Sequence, residues 1–132
     1  MADNVEISPE QFDLMEAAIQ PAIDQLLATG NYVPTLYLHD GDQMTFFTLA
    51  VQDQEALRGM SQTLIKQRLP GAVAYALLFD SAIETDEGTL DALIIETGDT
   101  DNAHEFARVY YRARQTSAPK VSLLGPAPNL LQ

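Results

Sequence analysis

The chain has 132 residues, 46% of them hydrophobic, and a formal charge of −12 from 19 acidic and 7 basic side chains. That length and apolar content fit one folded domain with its own core and argue against disorder. The absence of cysteine excludes disulfides, thiolate zinc sites, iron–sulfur clusters and thiol nucleophiles.

The acidic start, Met1 to Glu6, lacks the apolar run of a secretory signal, and the longest apolar stretch, Ala72 to Phe79, is too short to cross a bilayer. The expectation is a soluble cytoplasmic protein whose charge repels nucleic acid and anionic membrane. Residues 1–57 contain no Lys or Arg at all. Such a surface is either simply well solvated or a docking face for a basic partner.

Ser8-Pro9-Glu10-Gln11 opens the first helix: Ser8 is a good N-cap, Pro9 suits the first turn, and Gln11 completes a capping box. Phe12, Met15, Ile19, Ile23, Leu26 and Leu27 then make one apolar stripe, which Pro21 interrupts with a kink or a break into two pieces. Gly30-Asn31 ends it. Strands are expected at Val33–Leu38 and Met44–Val51, joined by a hairpin at His39-Asp40-Gly41-Asp42. Both faces of the second strand are partly apolar, which suggests cover on two sides.

Asp53 caps a second helix whose apolar stripe is Ala56, Leu57, Met60, Leu64 and Ile65, and Pro70-Gly71 stops it. Ala72–Ile83 reads as a strand with Val73, Tyr75, Leu77 and Phe79 on one face. Its other face, Ala72, Ala74 and Ala76, is small enough to admit a closely packed helix. Leu90–Thr97 returns as its hairpin partner after the turn at Glu84–Gly88. Residues 102–114 fit a strand or a helix, and Val109-Tyr110-Tyr111 favours the strand. Residues 117–132 form a Pro-rich C-terminal tail with a short strand at Val121–Leu124, beyond which Gly125-Pro126-Ala127-Pro128 does not sustain regular pairing. The fold expected is a single α+β domain over residues 1–132: an antiparallel sheet of four to six strands with two helices on one face, in the order α-β-β-α-β-β-β.

Few residues suggest chemistry. His39, Asp40 and Asp42 are the sharpest polar cluster and have metal-binding side chains, but neighbours on a strand diverge, so a plain hairpin tip is the simpler reading. His104 has Glu105 beside it. Asp99-Thr100-Asp101-Asn102 begins like a calcium loop, yet His104 and Tyr110 stand where that loop needs glycine and glutamate, so it reads as a turn. No nucleophile elbow or phosphate-cradling glycine loop is present, and no cofactor is expected. Phe106, Arg108, Tyr110, Tyr111, Arg112 and Arg114 interleave aromatics with arginines. In an acidic protein this suggests internal ion pairs or a protein interface, with Tyr110, Arg112 and Arg114 as its candidates, rather than a nucleic-acid site.

The stretch Ala72–Ile83, followed by Asp91-Ala92-Leu93-Ile94-Ile95-Glu96, resembles a group of small uncharacterised bacterial and phage α+β proteins, a likeness of roughly 30 residues that implies no activity. In size, acidity and its hairpin-rich sheet the chain is also similar to the small acidic chaperones of bacterial secretion systems, with one strand fewer. Three functions are open. One is a protein-binding or assembly module that recognises another protein or itself. The second is a small enzyme using dispersed acids and His39 or His104, and the third a sensor of a metal or small ligand.

Overall fold

The computed structural model describes residues 6–132, so Met1 to Val5, with most of the presumed non-signal start, lie outside the described residues. Helix α1 spans Pro9–Thr29 and begins with the expected capping box, the Ser8 hydroxyl accepting from the Gln11 amide and the Gln11 side chain accepting from Ser8. It runs through Pro21 as one element instead of breaking. Pro21 and Ala17 both lie on the exposed face, so water reaches the carbonyl that the proline leaves unpaired. The buried stripe is Leu14, Met15, Ala18, Ile19, Ala22, Ile23 and Leu26; Phe12, expected inside it, is 56% exposed.

Seven strands follow, one more than the largest sheet expected: β1 (Thr35–His39), β2 (Met44–Thr48), β3 (Ala74–Thr85), β4 (Gly88–Asp99), β5 (Ala103–Tyr111), β6 (Thr116–Ser117) and β7 (Ser122–Pro126). Their spatial order is β2-β1-β3-β4-β5-β6, with β7 also on β5, and every pairing is antiparallel. The ambiguous segment resolves as strand β5 followed by a single 3-10 turn, Arg112–Arg114. The surplus strands come from the tail. β7 reaches Pro126 because a register shift beside Glu105 and Phe106 lets the chain stay paired at the rim of the sheet, where a missing proline N–H costs nothing.

Helix α2 (Gln54–Arg68) starts at Asp53, whose carboxylate accepts from the Ala56 amide. Both helices pack on the sheet, and strand alternation places them on its two sides. Helix α1 covers Ala74, Ala76 and Leu78 of β3, together with Leu93, Ile95, Phe106 and Tyr110. The small alanines let it sit close, as their sizes suggested. Leu57 and Ile65 of α2 belong to the opposite cluster with Tyr75, Leu77, Phe79, Leu36 and Leu38. One sheet thus carries two cores, and burying both faces of β3 and β4 explains their near-continuous apolar sequences. No helix among the described residues is long and apolar enough to cross a membrane.

Candidate functional site

Strand β2 ends the sheet. Its expected two-sided cover is absent: every residue but Phe47 is exposed, with Phe46 at 60% and Met44 at 45%. The reason lies in the helices: α1 packs on β1, β3, β4 and β5, and α2 meets this strand at Phe47. The bonds flanking the β1–β2 ladder, Asp40 N–H to the Gln43 carbonyl at 3.2 Å and Leu49 N–H to the Pro34 carbonyl at 2.8 Å, fix its alternation. Thr45 and Phe47 therefore bond inward to β1, and Met44, Phe46 and Thr48 turn their backbone N–H and C=O groups outward.

Both sides of this edge are apolar. On the α1 side Phe46 stacks on Tyr37, ring centroids 5.5 Å apart. On the α2 side an apolar groove of about 430 Å³ is lined by Phe47, Leu49, Gly59, Met60 and Leu64. Arg68 closes one end, its guanidinium 5.4 Å from the Phe47 ring centre. Proteins usually blunt an edge with charge, proline or a bulge. The rim strand β7 carries Pro126 and the register shift, but Met44–Thr48 contains neither a charge nor a proline.

The residues singled out in the sequence serve elsewhere. Nδ1 of His39 accepts from the Gly41 amide at 2.9 Å, and its Nε2 lies 3.6 Å from the Asp13 carboxylate. Asp40 folds back to accept from the Asp42 and Gln43 amides, bonds that hold its carboxyl below the usual range. These three residues build the turn and do not converge; among the described residues no group of three His, Asp or Glu is placed to hold a metal. His104 lies on β5, with β3 and β4 between it and β1. The Asp99 turn is likewise local, its carboxylate accepting from the Asp101 and Asn102 amides.

Nor do the interleaved arginines form ion pairs: among the described residues the Lys or Arg found paired with a carboxylate is Arg58, with Glu96. Arg112 lies against Gly30 at the end of α1, supplying the cation that the helix's own last turn lacks. Arg114 sits over the Tyr111 ring at 4.1 Å, and Arg108 donates to the Ala118 carbonyl. Tyr110 is buried under α1, with its hydroxyl donating to Asp80 at 2.7 Å.

Sequence reading passed over one buried polar cluster. Glu96, fully buried on β4, accepts from Arg58 Nε at 2.9 Å and Nη2 at 3.0 Å and from Gln54 at 2.6 Å. Gln54 also donates to Glu105. Burial, and then the Glu96 charge, push the Glu105 carboxyl above its ordinary value, and Glu96 in turn holds the Arg58 guanidinium protonated. Since both Glu96 oxygens are engaged, the cluster anchors α2 to the sheet. A glutamate inside Leu93-Ile94-Ile95-Glu96 was its signal. No protein-family model, curated protein or solved structure matches this chain.

Proposed function

We propose that this protein is a protein-binding module that takes an extended segment of another protein as an added strand on β2. The outward backbone of Met44, Phe46 and Thr48 carries this reading, because it offers hydrogen bonds that the fold itself leaves unused. Alternate side chains of the guest then meet Phe46 and Met44 on one side and the groove by Phe47 and Met60 on the other.

Charge selects the guest. Asp40 and Asp42 precede β2, Asp53 and Glu55 follow it, and no Lys or Arg occurs before Arg58. Two copies joined through β2 in antiparallel fashion would bring these acids together, whereas a segment with Lys or Arg flanking its apolar residues is attracted. The test is selection of random peptides on the full chain. Binders with alternating apolar residues and basic flanks, lost when the bait carries Phe46→Lys, support the reading. Binders indifferent to Phe46→Lys, or self-association of the chain at micromolar concentration, overturn it.

A further inference from the structure

Beyond β2 the β1–β2 hairpin opens out and leaves a hollow. Strand β1 begins at Thr35, opposite Leu78, so β3 from Phe79 onward has no neighbour on that side. Past the Leu49–Pro34 hydrogen bond, the segments entering β1 and leaving β2 border a cavity of about 430 Å³, lined by Asn31, Tyr32, Pro34, Leu49, Phe79 and Asp80. Two aromatic residues, two amides (Asn31 and the nearby Gln52) and one carboxylate surround this space.

Asp80 is the only charged residue in that lining. Tyr110, anchored in the core under α1, donates to Oδ1 and fixes the carboxylate's orientation. Among the described residues no Lys or Arg is paired with Asp80. The charges near the Asp80–Tyr110 pair are Asp91 on β4, which adds negative potential, and Arg112, which bears on the Tyr110 hydroxyl. Asp80 is exposed, and its partial desolvation together with Asp91 raises the carboxyl above its ordinary value, against the Tyr110 hydrogen bond, which lowers it.

The geometry points to a subsite for an organic cation: the cavity takes an alkylammonium or guanidinium group against Asp80, with its carbon chain along Tyr32, which packs on the same side of the sheet as Tyr110. An aromatic ring, Tyr32, beside a fixed carboxylate suits that ligand on two counts, since a cation is drawn to both the ring and the acid. A carboxylate or phosphate ligand would meet only repulsion there. The inference goes beyond the strand-addition reading and does not depend on it, because the hollow lies past the end of β2 and exists without a guest.

The experiment is an NMR titration of the full chain with n-butylammonium, n-butanol and butyrate, and separately with Nα-acetyl-lysine methylamide. Saturable shifts at Tyr32 and Phe79 are expected with the two amines and not with the alcohol or acid. Asp80→Asn, a near-isosteric change, should weaken amine binding roughly fivefold, the worth of one partly exposed ion pair. Asp24→Asn on the exposed face of α1 should leave it unchanged, which separates the site from general attraction to an acidic protein. Tighter binding of the lysine derivative assigns the cation to a protein side chain, and tighter binding of butylammonium to a free amine. Equal response to butanol and butylammonium, or amine affinity unchanged in Asp80→Asn, overturns the proposal. Failure at this hollow leaves the Phe46→Lys result untouched, so the two readings fail separately.

Discussion

The Tyr75 hydroxyl donates to the Pro128 carbonyl at 3.1 Å and accepts from the Leu130 amide at 3.3 Å, tying residues 128–130 to the start of β3. Leu130 is buried in the same cluster as Leu57 and Ile65 of α2, so the Pro-rich tail is part of the core. Burial pushes the phenol up to about 12, and it stays protonated as a donor across the working pH range. Tyr75→Phe removes both bonds and leaves a buried N–H unpaired. It should cost about 1–2 kcal/mol. Amide exchange and proteolysis should quicken at residues 127–132 before any other change; uniform loosening of the whole chain would contradict the tie.

Arg58 and Glu96 make a second prediction. Glu96 has no solvent exposure, so Arg58→Ala strands a buried carboxylate and should destabilise by about 3 kcal/mol in urea denaturation. Arg58→Met combined with Glu96→Leu should recover most of the loss, since an apolar pair of similar volume needs no counter-charge. A double variant as weak as Arg58→Ala would mean that the pair holds α2 by geometry rather than by mutual neutralisation.

Glu105 sets a pH dependence of opposite sign to the usual carboxylate. Its folded value is raised, by burial first and the Glu96 charge second, so the folded state favours the protonated form. The stability this contributes is complete below the ordinary glutamate value and is lost as pH rises through the raised one. Glu105→Gln should therefore unfold at higher urea than the parent at pH 7, and the difference should vanish near pH 4. A difference that stays constant between those two pH values would contradict the assignment.

Gly30 closes α1 with φ of 77°, in the left-handed region, and donates its amide to the Leu26 carbonyl. A methyl group added there would run into the Arg112 guanidinium. Gly30→Ala should cost about 1–2 kcal/mol for the backbone alone, and Arg112→Ala about 0.5 kcal/mol through the lost cation at the helix end. Because the two residues share one contact, the double variant should lose less than the sum, read as thermal midpoints.

How far these features were legible follows from their range along the chain. Caps and turns act within a few residues: Ser8 with Gln11, the Asp53 cap, and the hairpin at Asp40-Gly41 could all be read directly. The small face of β3 foretold the close approach of α1. What sequence alone did not place was which strand would be left at the rim. Met44–Val51 has the apolar content of a covered strand, and only the sheet order exposes it. The long-range polar contacts were equally hidden, since Tyr110 meets Asp80 and Arg112 meets Gly30 through the fold. For the same reason the neighbours of Arg112 and Arg114, a helix end and a tyrosine ring, could not be read from the sequence.

The measurement that bears most directly on strand addition is residue-resolved amide hydrogen exchange of the full chain, with and without a selected peptide. Met44, Phe46 and Thr48 should exchange fast in the free protein and slow on binding, because their amides gain acceptors, while Thr45 and Phe47, already bonded to β1, should change little. Protection that alternates in this way along β2 is the predicted result. Unchanged exchange at all three outward amides, with protection appearing instead in the α1 groove lined by Phe12, Met15, Ile19 and Val121, would contradict it and move the binding surface to the helix.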